Sequence, residues 1–450
     1  MSVRIFIAGL FLFGITLRSA RAQNTAVDSL YSSATLEECI QYALAHQVGI
    51  RQAQLDERIV DHTIRSRLAD WYPQIDLNYN IQHFLQLPVL LLPDANDPNG
   101  PRRVLRAGVP NSSTAAFSLN QTIFNRDLLL ANRTARDVLY QAAQNTANQK
   151  INVTVEVSKA FYDLLLTRKQ QDILKAQIER LARNLKDATN QFNAGIVDKT
   201  DYKRATIALN NANAQLKQAR EQAVAREAVL KNQMGYPVDK PLEINYDSTR
   251  LATDVLLDTN QVVSYQNRIE FQRLQTVRNL LRTEIDYARW SFLPTVSFFL
   301  NYNLNYQNTE FLRLYSRSFP NSLFGLTLGY SIYQGGRRRQ NIRIAELQFE
   351  RSNWDVTGLR NDIDTEFQRT LAQYKSDWIN YQTLQENVEL AREVYDVIQL
   401  QYKSGVKTYL DVLIAQTDLR TAEFNFINAQ YQTISSKIDV ERALGTINEQ

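Results

Sequence analysis

The chain is poor in the residues that build catalytic and metal centres. It has one cysteine, Cys39, so neither a disulfide framework nor a thiolate metal site can form. Its three histidines, His46, His62 and His83, lie far from that cysteine, and no two stand four apart as helix-borne metal ligands do. A phosphate-cradling glycine loop and a nucleophile elbow are both missing. The expectation is a protein without cofactor or catalytic residues, not an enzyme. Long apolar runs are scarce too. Ile5 to Leu17 is apolar over 13 residues, short of the roughly 20 that a transmembrane helix needs. With Arg4 before it and Ala20-Arg21-Ala22 after it, this stretch reads as a secretory signal cleaved before Gln23. No cysteine follows closely, which argues against a lipid-anchored N-terminus. Arg4, Arg18 and Arg21 leave with the signal and no acid does, so the net charge falls from +4 to +1. That balance is not the footprint of a nucleic-acid binder.

Proline and glycine are absent over long distances. Residues 111–236 and 321–450 contain no proline, the strongest helix breaker. In 111–236 the only glycines are Gly195 and Gly235, and in 337–450 only Gly358, Gly405 and Gly445 occur. Ala, Leu, Gln, Glu, Lys and Arg fill these stretches, and all are good helix formers. A helix from about Arg126 to Asn193 would span roughly 100 Å, too long for a globular domain.

The chain also repeats itself at an offset of 210 residues. Gly195, Asp201, Ala205 and Gly235 are matched by Gly405, Asp411, Ala415 and Gly445. Apolar rows match at the same offset. Leu174, Ile178, Leu181, Leu185, Ala188 and Phe192 step alternately by 4 and 3, and so do their counterparts from Leu384 to Tyr402. That is the repeat of coiled coils.

Each half adds two short segments of period-two alternation. In the second half Val296, Phe298, Leu300, Tyr302, Leu304 and Tyr306 alternate with small or polar residues, followed by Phe324, Leu326, Leu328, Tyr330 and Ile332. In the first half Ile75, Leu77, Tyr79 and Ile81 form one strand, and Phe117, Leu119 and Ile123 a weaker partner. This is the pattern of transmembrane β-barrel strands, with Tyr79, Tyr302, Tyr306 and Tyr333 placed for aromatic girdles. A soluble sandwich with one wet face is the alternative. Four strands cannot close a barrel, and lipid does not tolerate an open sheet edge. The barrel must be shared between chains, and three copies would give twelve strands.

These residues resemble the TolC family of outer-membrane efflux proteins over nearly the whole mature chain. The resemblance is carried by Trp71-Tyr72-Pro73 and Trp290-Ser291-Phe292-Leu293-Pro294 before strands, and by Tyr333-Gln334-Gly335-Gly336-Arg337 after one. Asn267-Arg268-Ile269-Glu270 is similar to a family element in which proline usually stands where Ile269 does. Phe192-x-x-Gly195 with Asp201 and Ala205, and Tyr402-x-x-Gly405 with Asp411 and Ala415, resemble its two helical-tip motifs.

The resemblance implies an α+β membrane protein of the outer membrane, a homotrimer with a shared twelve-stranded barrel, four strands per protomer. Long coiled-coil-like helices would extend it across the periplasm. Residues 1–22 would be the signal. The first repeat would be 23–235, with a β-hairpin at 74–124 and a tip near 195. An equatorial linker at 236–261 would precede the second repeat, 262–450, with a hairpin at 294–333 and a tip near 405. Extracellular loops would be Leu87–Val109 and Gln307–Asn321. The first holds the apolar run Val89-Leu90-Leu91-Leu92, which could plug the pore, meet a partner or pack on its own hairpin. A passive duct would take its energy from an inner-membrane pump, proton-driven or ABC, through a periplasmic adaptor that contacts the tip turns at Gly195 and Gly405. The resemblance further implies a gate at the tips made by Thr200, Asp201, Tyr402 and Lys407. Asp411 would form a ring of carboxylates, and Ile414 replaces a second acid found in some members. From their differing surroundings, Asp201 is expected to be held by Tyr402 and Lys407, and Asp411 to face its symmetry mates. Helix capping is the other role open to Asp201 and Asp411. Arg337-Arg338-Arg339 would lie near lipid phosphates at the periplasmic interface, or be merely solvated. A duct for type I protein secretion and a non-conducting coiled-coil surface protein remain the competing functions.

Overall fold

The computed structural model describes residues 34–92, 102–195, 198–246 and 251–447. The signal segment lies outside the described residues. Each half runs from a helix through a β-hairpin to a very long helix and a shorter returning one. In the first half these are α2 (Val48–Ala69), β1 (Gln74–His83), β4 (Asn111–Phe124), α3 (Arg126–Asn193) and α4 (Lys199–Met234), with α1 (Leu36–His46) ahead of them. Between β1 and β4 lie β2 (Val89–Leu92) and β3 (Arg103–Arg106). In the second half, after the short α5 (Leu251–Asp254), come α6 (Ile269–Arg289), β5 (Thr295–Asn308), β6 (Ser318–Gly329), α7 (Arg337–Lys403) and α8 (Tyr409–Leu444). The duplication is close in length: α3 and α7 have 68 and 67 residues, and α4 and α8 have 36 each. At 1.5 Å per residue the long helices reach about 100 Å.

The main sheet has the order β1-β4-β5-β6, every pair antiparallel. The register aligns the alternation of all four strands. One row reads Ile75, Leu119, Leu300 and Phe324, and the next on the same face Leu77, Phe117, Tyr302 and Ser322. The other face is small or amide-rich, with Asn78, Ala116, Asn303 and Asn321 in one row. There Asn303 donates to Asn321 at 2.8 Å and Thr114 to Asn305 at 2.9 Å. Gly325 lets the Phe299 ring lie across it, since a Cβ there would come within 2.8 Å of that ring.

Three strand expectations change. The last strand spans Ser318–Gly329, so Tyr330, Ile332 and Tyr333 fall outside it. Its ladder ends at the pair Thr295–Gly329 because Pro294, next in line on β5, has no N–H to donate. The same ladder runs on to the pair Tyr306–Ser318, which shortens the loop expected at Gln307–Asn321. Ile123 is the residue of a β-bulge between Thr122 and Phe124 and not a regular member of the apolar row. The run Val89–Leu92 pairs with Arg103–Arg106 as a separate two-stranded ribbon and stays about half exposed.

Halfway down α3 the helices thicken into a belt. Val157, Phe161 and Leu164 are fully buried against Cys39, Ala43 and Ile50. The linker between the halves joins them through Tyr236, Leu242, Leu251 and Val255. Its backbone pairs with the N-terminal segment, Ala34 N donating to Glu243 O and Asn245 N to Ala34 O. Burial, with Glu38 adding to it, pushes the Cys39 thiol up to about 12, so it is an inert core residue.

The repeat units dock at matching points. Gly235 and Gly445 end α4 and α8 in the left-handed conformation at φ 70° and 73°. A Cβ on Gly235 would strike the backbone of His46, and one on Gly445 the backbone of Asn267, each two residues ahead of a helix, α2 and α6 respectively. At the second point Arg268, only 5% exposed, locks three helices. Its Nη1 donates to Ala443 O at 2.8 Å, its Nη2 to Glu366 at 2.8 Å and its Nε to Glu270 at 3.1 Å. Burial pushes Glu270 up, but the hydrogen bond and charge of Arg268 outweigh it and hold this carboxyl below the ordinary glutamate range. The contribution of a depressed carboxyl is present above its unfolded value and is lost as pH falls through its folded one.

Arg268→Ala should therefore destabilise the protein by about 2–4 kcal/mol. This is the low side of the cost of breaking a buried ion pair, because both carboxylates stay about a third exposed. Thermal unfolding of wild type and variant should differ most near neutral pH and converge as the pH falls below about 4. Arg268→Lys should recover only part, since an ammonium donates from a single nitrogen and cannot span three acceptors spread around a planar guanidinium.

Candidate functional site at the helical tips

The two long hairpins reverse at Gly195 and Gly405, at φ 75° and 79°. Among the described residues nothing lies within 4 Å of a Cβ built at either glycine. The left-handed backbone, not crowding, is what requires glycine there.

The tips differ in how their second helices begin. At the second tip Thr408 is the N-cap of α8 and Asp411 the third helical residue, and together they form a capping box. Thr408 N and Oγ1 donate to Asp411 Oδ2 at 2.9 and 2.8 Å, and Asp411 N returns a bond to Thr408 Oγ1. These bonds, with the charge of Lys407 at 4.0 Å, hold the Asp411 carboxyl below its ordinary value. At the first tip the corresponding pair is Asp198 and Asp201. Asp198 is the N-cap of α4 but makes no side-chain cap bond. An aspartate cap could accept from the backbone N–H of the third helical residue as threonine does, but that bond is not made and no box forms. Asp198 instead accepts from Thr200 Oγ1 at 3.1 Å. Asp201 makes no side-chain hydrogen bond or ion pair among the described residues.

The second tip leans on the first through two tyrosines. Tyr402 donates to Gln191 Oε1 at 3.1 Å. Tyr409 is 2% exposed and packs with Ala188 and Ala205, beside Leu185 and the Tyr402 ring. Burial pushes both phenols up, and Asp201 adds to the effect at each; Tyr409 reaches about 12. Its hydroxyl is buried with no partner among the described residues.

The expected contacts are therefore partly redrawn. Within one protomer Asp201 is not held by Tyr402 and Lys407: the tyrosine turns to Gln191 and the lysine to Asp411. Asp411 is not simply left for its symmetry mates, because its own N-cap occupies it. Val197, set against Lys407 in comparing the tips, lies outside the described residues. Tyr409 and Gln191 were missed. The signal was present for Tyr409: at the 210-residue offset it stands where the first tip has Lys199, an aromatic for a cation between the matched pairs Gly195/Gly405 and Asp201/Asp411.

The family model described as "Outer membrane efflux protein" matches residues 39–236 and 263–446. Outer membrane protein TolC of Escherichia coli is 24% identical over 76% of this chain and 71% of its own length. The alkaline protease secretion protein AprF of Pseudomonas aeruginosa is 20% identical over 75% of this chain and 71% of its own. A crystal structure of CusC, described in terms of transmembrane channel formation, superposes with a TM-score of 0.72 at 16% identity, covering 92% of this chain and 93% of that one. No helix among the described residues is long and apolar enough to cross a membrane.

Removing the partnerless hydroxyl tests the tip packing. Tyr409→Phe should leave hydrogen-exchange protection of the tip helices unchanged or slightly raised. Tyr409→Ala should cost about 3–5 kcal/mol locally and expose both tips to exchange. Lost protection in the Phe variant would place the hydroxyl's partner on a neighbouring protomer.

Proposed function

The chain belongs to the outer membrane efflux protein family, and from that premise we propose that three copies close a twelve-stranded barrel and form the passive exit duct of an export system. The observation that carries the reading is the open four-stranded sheet with one continuous exposed apolar face. Its outer strands, β1 and β6, each have an unpaired edge. Lipid offers no partner for those N–H and C=O groups. Strand direction alternates across β1, β4, β5 and β6, so β6 of one copy meets β1 of the next antiparallel, as a closed barrel of even strand number requires. The apolar rows face lipid, and the asparagine rows line the lumen. The chain works in the outer membrane, with the long helices reaching into the periplasm.

The tips are the periplasmic entrance. Asp201 carries a charge that no described residue of its own protomer engages by a hydrogen bond or ion pair, and Lys407 is only loosely paired, so both are available across the protomer boundary. Tyr402 holds the second tip to the first. Thr200, Asp201, Tyr402 and Lys407 thus act as the gate, while Asp411 shapes the start of α8 and adds charge at the mouth. The turns at Gly195 and Gly405 face the periplasmic adaptor, which links the duct to an inner-membrane pump. Efflux of small molecules is the reading favoured by the family; loss of secreted protease in a deletion strain with drug tolerance intact would point instead to protein secretion.

Native mass spectrometry of the detergent-purified protein should give a trimer with stepwise conductance in planar bilayers, and a folded monomer in lipid would overturn the shared barrel. Tyr402→Phe combined with Lys407→Ala should raise single-channel conductance at unchanged trimer yield. Wild-type conductance in that variant would move the gate elsewhere.

A further inference from the structure

Where the barrel gives way to the helices, a cavity of about 570 Å³ opens among the start of β5, the end of β6 and the first turn of α7. Arg126, Arg337 and Arg338 line it, and among the described residues no carboxylate does. It lies at the N-terminus of a 67-residue helix that has no acidic residue in its first turn and no side-chain cap. The positive end of that helix dipole is therefore not offset by its own residues.

Arg338 is fixed in place. Its guanidinium carbon sits 5.1 Å from the Phe292 ring centroid and 5.4 Å from that of Tyr330, and Nη2 donates to Ser331 O. Its Nε is buried without a partner among the described residues, and so is Ser291 Oγ in the cavity wall. Asp127, next in the chain to Arg126, accepts from Tyr287 at 2.6 Å and lies 4.0 Å from Arg126 Nε. The surroundings are apolar and open: Tyr330 is about half exposed, and Ile332 and Tyr333 are 87% and 86% exposed. Aromatic residues presented at the end of a barrel mark the membrane–water interface.

We propose that this cavity binds the phosphate of an anionic glycerophospholipid in the periplasmic leaflet of the outer membrane. Arg337 and Arg338 contact the phosphate oxygens, Ser291 adds a hydroxyl donor, and the exposed Tyr330, Ile332 and Tyr333 lie along the acyl chains. A guanidinium held between two rings meets phosphate at little entropic cost. The site rests on the barrel reading. Failure to form an inserted trimer would remove both, whereas a normal trimer without lipid preference removes only this site.

The test is native mass spectrometry of the purified trimer titrated with phosphatidylglycerol, phosphatidylethanolamine or inorganic phosphate. Phosphatidylglycerol should be retained in preference to phosphatidylethanolamine, one per protomer. Arg337→Gln with Arg338→Gln should weaken its binding roughly thirtyfold, from about 1 kcal/mol per arginine at 1.4 kcal/mol per decade, with trimer yield unchanged. Arg339→Gln removes the neighbouring charge, which does not line the cavity, and should have little effect. An equal loss from Arg339→Gln would reduce the effect to diffuse charge. Inorganic phosphate binding as tightly as the lipid would make the ligand a free anion. Unchanged lipid retention with altered anion block of the pore would put the cavity on the lumen. Each of these three results overturns the proposal.

Discussion

The hydrogen-bonding groups along the free edges of the four-stranded sheet govern the rest of the structure. Backbone amides cannot be left unpaired in hydrocarbon, so a sheet with two open edges and an apolar face belongs in the membrane only as part of a closed ring. Everything below the sheet follows from closing that ring with copies of one chain. The strands turn into long helices whose apolar rows need partners, and those helices pack side by side around the same axis. The duplication makes this economical, because each half supplies a hairpin for the barrel and a helical pair for the tube. Docking is repeated as well, at Gly235 against His46 and at Gly445 against Asn267.

The two halves are alike in length but not in chemistry, and the difference concentrates at the tips. A threonine opens α8 where an aspartate opens α4. The threonine closes a capping box with the following acid, whereas the aspartate accepts from Thr200 and leaves Asp201 without a side-chain bond among the described residues. Tyr402 and Tyr409 extend the asymmetry, filling the space between the hairpins where the first tip has Phe192 and Lys199. Here one tip carries the unengaged acid and the other the tyrosines and the lysine.

At the opposite end of the long helices, cations gather where the barrel stops. Arg126 opens α3 just after β4, and Arg337 and Arg338 open α7 beyond the segment that leaves β6, near exposed aromatic residues. The chain thus has charge chemistry at both ends of its tube, and an apolar belt around Phe161 between them holds the helices in register.

Much of this was legible without coordinates. Missing prolines set the helix lengths, alternation set the strands, and the offset of 210 residues set the two-fold repeat, because each is a local pattern that one residue's neighbours along the chain enforce. The capping box at Thr408 and Asp411 was legible in the same way, as spacing. The end of β6 was not, because it depends on which residue of β5 lies opposite and Pro294 is remote in sequence. Nor was the partner of Tyr402, since Gln191 is 211 residues away and only the packing of two helical hairpins brings them together. Arg268 likewise reads as one letter of a motif, yet its three acceptors come from three helices that meet at one point. Sequence periodicity determined which elements this chain forms and which faces they bury. The tertiary structure alone decided which polar groups satisfy one another, because a hydrogen bond depends on distances of a few tenths of an ångström between segments that the chain does not hold together.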